Sequence, residues 1–319
     1  MFFNISIEMF IILFYFKSSM KIFITGGAGF IGSHMAEHFA KKDNDVVIYD
    51  NLSRAKLLNK NNKNAEFNWN YLKQYSNITR IKGDIKDFEF LLTSMSGCEV
   101  VIHTAAQTAV TTSVTDPRTD FHTNALGTFN VLEAARQNKI KTVLFTSTNK
   151  VYGHNVNNVL LTENEERYDF KDRKGISEDF SIDLCEHTPY GCSKLTGDIY
   201  MQDYARLYGI RTAVFRMSCI YGTRQFGFED QGWVSWFIIA ALTGKPLTIY
   251  GDGKQVRDVL YITDLVNLFE KFIESDLQHG VFNIGGGPDN VLSLLKLLKI
   301  LEIELGRKIP VSFADWRPS

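Results

Sequence analysis

The sequence predicts an α/β fold in which a doubly wound parallel sheet carries helices on both faces. Apolar runs rich in β-branched residues alternate with amphipathic stretches over residues 22–216, as expected for buried parallel strands joined by helices. A glycine-rich run, Gly26 to Gly32, stands between the first of these strands and the first helix. Beyond residue 216 the alternation loosens, which predicts a smaller mixed α/β lobe toward the C-terminal side.

The individual elements follow from the same pattern. The predicted strands of the main sheet cover residues 22–25, 46–49, 78–82, 100–103, 143–146 and 212–216, with a last strand at 281–284. The predicted helices between them cover residues 31–42, 120–137 and 190–208. In the later lobe we predict an apolar helix at 233–243 and short strands at 247–250 and 259–261. The Asn- and Lys-rich stretch 59–70 is predicted to be a solvated loop.

Composition excludes several classes of protein. The chain has 319 residues with 35 basic and 36 acidic side chains, so it lacks the basic excess of a nucleic-acid-binding protein. Its four cysteines form no CxxC pair and no cluster with histidines. This pattern predicts reduced thiols in a cytoplasmic protein, with neither a disulfide framework nor a metal site.

The first 19 residues differ from the rest of the chain. An apolar run at residues 10–16 has no basic residue before it, unlike a signal peptide, and it is shorter than the roughly 20 residues that span a bilayer. Met20 directly precedes the first predicted strand. We therefore predict that residues 1–19 are a non-native leader and that Met20 is the true start. A membrane anchor is the less favoured alternative, and no membrane partner is expected.

The glycine-rich run is typical of a dinucleotide-binding loop. Gly26, Gly29 and Gly32 follow a strand and open a helix, where glycine permits a tight turn and lets backbone N–H groups approach a pyrophosphate. The spacing is GxxGxxG and not GxGxxG, so the loop alone is a weak signal. Asp50 and Asp84, at the ends of the second and third strands, strengthen it, because they are placed to contact the ribose and the adenine.

Asp50 also favours NAD over NADP as the cofactor. A carboxylate at this position repels the additional 2′-phosphate of NADP. Arg54 lies close enough in sequence to weaken this preference.

A tyrosine and a lysine one helical turn apart, Tyr190 and Lys194, are the candidate catalytic pair. Residues at i and i+4 share a helix face, and a nearby ammonium lowers the pKa of a phenol and favours the phenolate. Thr148 could hydrogen-bond the substrate oxygen, so the three side chains supply a base, its electrostatic support and an orienting donor. The alternative is a surface Tyr and Lys on an amphipathic helix. The glycine-rich loop favours the catalytic interpretation.

With its glycine-rich loop and the set Thr148, Tyr190 and Lys194, the chain resembles the extended short-chain dehydrogenase/reductases, the group of nucleotide-sugar epimerases and dehydratases. Three runs, at residues 147–153, 221–234 and 253–259, narrow this resemblance. The resemblance covers residues 20–319 and implies that Thr148, Tyr190 and Lys194 form the catalytic triad. The cofactor contacts that it implies are Gly26, Gly29, Phe30, Ile31, Gly32, Asp50, Asn51, Ser53, Arg54, Asp84, Ile85, Ala105, Ala106, Gln107 and Asn124, together with Tyr190 and Lys194.

Within this group the same runs point to one subfamily. The 4,6-dehydratases carry Asp-Glu directly after the catalytic Thr, whereas this chain has Asn149 and Lys150, which disfavours water elimination. The runs are most similar to the CDP-paratose 2-epimerases, which interconvert CDP-paratose and CDP-tyvelose by transient oxidation at C2. A UDP-sugar 4-epimerase is the alternative within enzymes, and a non-catalytic NAD-binding protein on the same fold is the alternative from another class.

The resemblance also implies a substrate site and an assembly. Arg257 and Arg317 are expected to hold the substrate diphosphate, although a surface pair between Arg257 and Asp258 is the alternative. Trp233 could instead be core. The full set of expected substrate contacts is Thr108, Asn149, Cys219, Arg224, Gln231, Trp233, Arg257 and Arg317. Related enzymes pair through helices like 120–137 and 190–208, so we expect a homodimer or homotetramer.

These inferences divide the chain. Residues 20–216 with 258–284 are assigned to a Rossmann-like NAD-binding domain. Residues 217–257 with 285–319 are assigned to the substrate-binding lobe. Family members usually continue beyond the point where this chain stops, so this lobe is expected to be truncated.

Overall fold

A computed structural model describes residues 19–54 and 66–316. Within these residues the main sheet has seven parallel strands: β1 Lys21–Thr25, β2 Asp45–Asp50, β3 Ile78–Lys82, β4 Val100–His103, β5 Thr142–Thr148, β8 Arg211–Met217 and β12 His279–Ile284. Their order across the sheet is β12-β8-β5-β4-β1-β2-β3. The chain forms one half of the sheet from β1 to β3 and then crosses to β4, on the other side of β1, as in a doubly wound sheet.

Helices cover both faces of the sheet. Those associated with it are α1 Phe30–Ala40, α2 Phe67–Tyr71, α3 Phe88–Ser94, α4 Val110–Thr115, α5 Pro117–Phe121, α6 Gly127–Gln137, α7 Pro189–Tyr208 and α9 Ile262–Glu274. A π-helical turn, His122–Leu126, joins α5 to α6. Short 3₁₀-helical turns occur at Leu72–Gln74, Asn149–Asn158 and Pro288–Asn290.

The alternation of side chains along the strands divides the core into two layers. Ile22 and Ile24 of β1 pack with Phe39 of α1 and Phe269 of α9 on one face of the sheet. Phe23, between them in sequence, packs on the other face with residues of α3, α6 and α7. A parallel sheet that is buried on both faces explains why its strands are apolar at nearly every position.

The later lobe has its own small core. Strands β10 Leu247–Tyr250 and β14 Val311–Ala314 pair in parallel. Strand β11 Val256–Tyr261 lies between β9 Cys219–Tyr221, to which it is parallel, and β13 Val291–Ser293, to which it is antiparallel. Helices α8 Trp233–Thr243 and α10 Leu294–Leu305 contribute Phe237 and Leu297 to the core. A hairpin of β6 Leu161–Glu163 and β7 Tyr168–Phe170 lies apart from these sheets.

The predicted fold class, a doubly wound parallel sheet with a smaller mixed lobe, is confirmed. The predicted helix at 120–137 is wrong in one respect, because α5, the π-helical turn and α6 replace a single regular helix. Helices α3, α4, α9 and α10 were not predicted. The predicted loop at 59–70 lies in part outside the described residues, and its end belongs to α2.

Two further predictions stay predictions. The division into two domains is not tested by the sheet order. Residues 1–18 of the proposed leader lie outside the described residues. Among the described residues, no helix is both long enough and apolar enough to cross a membrane.

Candidate active site

The glycine-rich loop is shaped by close approaches of the backbone. Gly26 has φ +68°, and a methyl group built on it would lie 2.6 Å from the backbone nitrogen of Ala105. A methyl group on Gly32 would lie 2.3 Å from the carbonyl oxygen of Gly26. Helix α1 begins directly after Gly29, whose N–H donates to the Gly26 carbonyl at 2.9 Å. The loop therefore places a helix N-terminus beside the carboxyl end of β1, where an anion is stabilised.

Asp50 ends β2 next to this loop and is tied to it. Its carboxylate accepts from the backbone N–H of Ala28 at 2.9 Å and from that of Leu52 at 2.8 Å. Burial raises the pKa of Asp50, and these two hydrogen bonds lower it. Each oxygen keeps further acceptor capacity. The carboxylate is thus fixed in orientation and still able to accept from ribose hydroxyls.

The third strand ends in a second polar group. Asp84 accepts from the side-chain amide of Asn51 at 3.0 Å and from the backbone N–H of Lys86, also at 3.0 Å. Asn51 in turn accepts from the backbone N–H of Ser53 at 2.9 Å. The structure therefore brings together the predicted cofactor residues that follow β2 and β3, at the carboxyl ends of these two strands.

Two further residues that were predicted to contact the cofactor, Arg54 and Gln107, bond to other parts of the protein through their side chains. Arg54 donates to the Phe226 carbonyl at 2.8 Å, so it joins the cofactor edge to the later lobe. The Gln107 side chain donates to Asp120 at 3.0 Å and to the Ala109 carbonyl at 2.8 Å.

The catalytic candidates come from β5 and α7. Thr188 caps α7 by accepting from the Gly191 N–H at 3.2 Å, and Pro189 occupies its first turn. This start places Tyr190 and Lys194 in the first two turns, both buried. Thr148, the last residue of β5, hydrogen-bonds the Tyr190 side chain. The structure thus brings the three predicted catalytic residues together.

Burial shifts the pKa values of Lys194 and Tyr190 in opposite directions. It lowers the pKa of Lys194 to about 7, against the smaller effects of Asp198 and Asp120, which raise it. It raises the pKa of Tyr190 to about 12, and the hydrogen bond with Thr148 lowers it. We predicted that Lys194 would lower the pKa of Tyr190. The structure differs, because burial outweighs the stabilisation of the phenolate by the protein's own groups.

A network of buried polar side chains supports the catalytic helix. Asn124 donates to the Gln107 carbonyl at 3.0 Å, to Asp120 at 3.0 Å and to the Ser193 hydroxyl at 3.2 Å. Ser193 donates to the Tyr190 carbonyl at 3.1 Å. The predicted cofactor residue Asn124 thus connects the loop after β4 with α5 and α7.

Sequence reasoning missed His103, which ends β4 beneath Lys194. Its ring nitrogens lie 2.7 Å from the Thr25 hydroxyl and 2.9 Å from the Thr128 hydroxyl. Burial lowers the pKa of His103 to about 3, with Lys194 contributing. A neutral imidazole therefore lies beside the lysine. The signal available in the sequence was a single polar residue at the end of an otherwise apolar strand.

Five of the predicted substrate contacts lie in three pairs of interacting side chains. The Gln231 amide donates to the Thr108 hydroxyl, which joins the later lobe to the loop after β4. Trp233 hydrogen-bonds the Cys219 thiol, whose pKa burial raises to about 11 while Arg257 lowers it. Asn149 lies 3.5 Å from the Thr148 hydroxyl through its side-chain oxygen.

Arg257 does not pair with the carboxylate next to it in sequence. Successive residues of a strand point to opposite faces, and Asp258 accepts from the Ser218 hydroxyl instead. The Arg257 guanidinium donates to the Val256 carbonyl at 2.7 Å. Burial lowers the pKa of Lys150 to about 8, and the charge of Arg257 contributes to the same shift. Two cations, Arg257 and Lys150, thus lie near each other, as an anionic ligand would require.

Two other predicted arginines are not part of this group. Arg224 forms an ion pair with Glu37 of α1 at 2.7 Å, and its guanidinium lies 4.3 Å from the centre of the Tyr71 ring. It therefore joins the later lobe to the first helix. Arg317 lies outside the described residues. In the same described ranges, no group of three or more His, Cys, Asp or Glu is placed to hold a metal ion.

Comparison with known proteins agrees with this geometry. Residues 22–285 match the model of the NAD dependent epimerase/dehydratase family. The chain belongs to this family. Its cofactor is NAD, which confirms the cofactor prediction. The glycines that admit no side chain, the adjoining helix N-terminus and the fixed carboxylate of Asp50 fit this dinucleotide.

Several relatives support an NAD-dependent nucleotide-sugar epimerase. The CDP-paratose 2-epimerase of Salmonella typhi is 43% identical over 295 residues, which cover 89% of this chain and 84% of that protein. A putative UDP-glucose 4-epimerase of Methanocaldococcus jannaschii is 35% identical, with 89% and 82% covered. The UDP-glucuronic acid 4-epimerase of Bacillus cereus, solved with UDP-glucuronic acid and NAD, superposes with a TM-score of 0.77 at 29% identity, covering 94% of this chain and 87% of that one.

Proposed function

We propose that this epimerase interconverts CDP-paratose and CDP-tyvelose by transient oxidation at C2 of the sugar. The 43% identity to the Salmonella typhi CDP-paratose 2-epimerase carries the assignment of nucleotide and position. The convergence of Thr148, Tyr190 and Lys194 supports the chemistry, since these side chains are what oxidation of an alcohol requires.

Each catalytic side chain has one role in this mechanism. Thr148 holds the reacting hydroxyl through a hydrogen bond and shares a second bond with Tyr190. Tyr190, as the phenolate, removes the hydroxyl proton and later returns it. Lys194 places a positive charge beneath the phenol. NAD, when bound, supplies a reversible hydride acceptor and, in its oxidised form, the positive charge that favours ionisation of Tyr190.

Inversion of configuration requires no acid or base beyond this group. Asn149 and Lys150 occupy the positions at which 4,6-dehydratases carry two carboxyl groups. An amide cannot exchange a proton at neutral pH, so Asn149 cannot act as the carboxyl group that those enzymes carry at its position. This supports epimerisation over dehydration.

The diphosphate of the substrate is assigned to the cations of the later lobe. Arg257 is without a carboxylate partner among the described ion pairs, and its planar guanidinium suits a diphosphate. Lys150 lies near it. We place Thr108, Gln231, Cys219 and Trp233 around the same ligand, and we assign Arg317 to it on the resemblance alone.

An assay with pure nucleotide sugars separates the candidates. Incubation with CDP-paratose should yield CDP-tyvelose without net consumption of NAD, measured by NMR of the sugar at equilibrium. UDP-glucose and UDP-glucuronic acid are tested in parallel as substrates of the alternative 4-epimerase reaction. Inversion at C4 of a UDP-sugar, with CDP-paratose unchanged, would favour the UDP-sugar 4-epimerase that the Bacillus cereus likeness supports. No turnover of any of them would favour a non-catalytic NAD-binding protein.

We also propose the domain division, the assembly and the compartment predicted above. Residues 20–216 with 258–284 bind NAD, and residues 217–257 with 285–319 bind the sugar nucleotide. Exposed apolar residues on α7, with Leu126 next to α6, support a homodimer or homotetramer formed through these helices. The free thiols are those expected of a cytoplasmic protein.

A further inference from the structure

A buried ion pair joins helix α7 to strand β8, and the mechanism above assigns it no role. Asp198 of α7 is 0% exposed and Arg216 of β8 is 5% exposed. The guanidinium donates to both carboxylate oxygens, through Nε at 2.9 Å and through Nη2 at 3.1 Å. An apolar pair at such a place is often as stabilising, because both charges lose their hydration when they are buried. The presence of the ion pair therefore points to a geometric role.

The carboxylate of this pair also contacts the strand that ends in a catalytic residue. The hydroxyl of Ser147, which directly precedes Thr148 in β5, donates to Asp198 at 2.8 Å. Asp198 follows Lys194 by four residues and so lies one turn further along the same face of α7. The hydrogen bond therefore fixes the end of β5 against the part of α7 that carries the catalytic pair.

The orientation of the Asp198 carboxylate is fully determined by its partners. One oxygen accepts from Ser147 and from Nε of Arg216. The other accepts from Nη2 of Arg216 and from the Gln202 amide, the latter at 2.9 Å. A buried carboxylate whose two oxygens both have two donors holds a single orientation.

Arg216 extends this network to the chain segment between β5 and α7. Its Nη1 donates to the Tyr152 hydroxyl at 3.1 Å and to the Glu178 carbonyl at 2.9 Å. The Tyr152 hydroxyl in turn donates to the side-chain oxygen of Asn283 in β12 at 2.7 Å. The same guanidinium thus holds the carboxylate of α7 and anchors the segment whose two ends carry catalytic residues.

We propose that Asp198 is a positioning residue that, through Ser147, fixes the end of β5 and with it Thr148 against the catalytic pair of α7. The inference rests on the proposed function, which assigns these side chains their catalytic roles. Arg216 holds the carboxylate in place and offsets its charge. A misplacement of about 1 Å can cost 10²-fold in rate, so loosening this contact should lower kcat more than it weakens substrate binding.

Ser147→Ala in the NAD-loaded protein tests this role. It removes the bond between β5 and the carboxylate and leaves the ion pair intact, whereas Asp198→Ala would leave the buried guanidinium of Arg216 unpaired and destabilise the fold. We expect kcat to fall by about 10–100-fold, with KM changing by less than about threefold. NAD affinity, measured by calorimetry, should be unchanged.

The ring of Tyr190 provides a second readout that needs no substrate. Its hydroxyl is hydrogen-bonded to Thr148, so the NMR resonance of ring-¹³C-labelled Tyr190 reports whether this contact is kept. The resonance is assigned with Tyr190→Phe. In Ser147→Ala it should move toward its position in Thr148→Ala, in which the bond is absent. Loss of stability alone would not move it in the folded protein.

Thr212→Val is the matched control. The Thr212 hydroxyl is also buried and also joins α7 to a neighbouring strand, by donating to the Met201 carbonyl at 3.0 Å. It lies near the start of β8, at the other end of the paired strands from Thr148. This variant should keep the wild-type kcat and Tyr190 resonance. An unchanged kcat or resonance in Ser147→Ala, or equal changes in Thr212→Val, would overturn the inference.

The two readouts separate this inference from the proposed function. If the wild type turned over no nucleotide sugar and the Tyr190 resonance still moved in Ser147→Ala, positioning by Asp198 would stand and the proposed function would be wrong. If the wild type epimerised CDP-paratose and Ser147→Ala matched it in kcat and resonance, the proposed function would stand and the inference would be wrong.

Discussion

Tyr190 and Lys194 occupy a site that favours the neutral form of both side chains. Burial is the largest cause of each shift, raising the pKa of the phenol and lowering that of the amine. The pair is therefore poised for proton transfer only when additional charge is present. The neutral ring of His103, which burial keeps uncharged, supplies no such charge.

Replacement of Tyr190 by Phe tests the proton-transfer role directly. Tyr190→Phe should reduce kcat by about 10²–10⁴-fold, because the ring remains and only the acid–base group is lost. NAD affinity, measured by calorimetry, should change little. Tyr204→Phe is the control, since Tyr204 lies on the same helix and its hydroxyl bonds Glu133 away from the site. Unchanged turnover in Tyr190→Phe would remove this residue from the mechanism.

Lys194 should also make stability depend on pH. Its pKa is about 7 when folded and near the ordinary 10.5 when unfolded, so between these values the unfolded chain binds the additional proton. Stability then rises with pH. Relative to Lys194→Met, the wild type should gain ~1.4 kcal/mol in free energy of unfolding per pH unit in this window.

Urea unfolding at pH 7, 8 and 9 measures this gain. Lys73→Met, at an exposed lysine, is the control. The difference in free energy of unfolding between this variant and the wild type should not depend on pH. If the free energies of unfolding of the wild type and Lys194→Met differed by the same amount at pH 7, 8 and 9, this would contradict the lowered pKa of the buried amine.

At the scale of elements, the candidate site collects at the carboxyl ends of parallel strands. Gly26 follows β1, Asp50 ends β2, His103 ends β4 and Thr148 ends β5. The sheet order reverses between β1 and β4, and open α/β sheets bind ligands in the crevice at such a point. This explains why residues dispersed over more than 100 positions in sequence meet in one place.

A substitution in the glycine-rich loop tests whether NAD binds at the carboxyl ends of these strands. Gly26 and Gly209 both have positive φ, +68° and +65°, but only Gly26 has backbone atoms within 4 Å of an added methyl group. Gly26→Ala should therefore lose NAD binding and about 1–3 kcal/mol or more of stability. Gly209→Ala should lose only the smaller cost of the backbone conformation and keep NAD affinity. Equal NAD affinity in both variants would contradict the close approach.

At the scale of the whole molecule, α6 and α7 pack against each other, and apolar side chains are exposed on α7 and next to α6. The rings of Phe129 and Tyr200 lie 5.5 Å apart across the two helices. Ile199 and Leu207 of α7 are exposed, as is Leu126 next to α6. An apolar surface of this kind is typical of an interface between subunits.

Solution size measurements test the expected assembly. The wild type should be a dimer or tetramer by light scattering, and Ile199→Glu with Leu207→Glu should shift it toward the monomer, because two charges would be buried at the interface. Leu242→Glu, at an exposed leucine of α8 in the later lobe, is the control and should leave the assembly intact. A monomeric wild type would contradict the assignment of this surface.

The features that the sequence determines by itself are those set by local geometry. Strands follow from apolar runs, the nucleotide loop from glycine spacing, and the shared face of Tyr190 and Lys194 from the helical period of 3.6 residues. The π-helical turn at His122–Leu126 was missed because it leaves the apolar pattern of a helix almost unchanged.

Only the tertiary structure decided what surrounds these features. Arg224 was predicted to contact substrate but pairs with Glu37, 187 positions away in sequence. His103 could not be recognised, because an isolated His carries no periodic signal. Its proximity to Lys194 depends on how α7 and β4 pack. A pKa is set by burial and by neighbouring charge, and both arise from contacts between distant parts of the chain, which the order of residues alone does not specify.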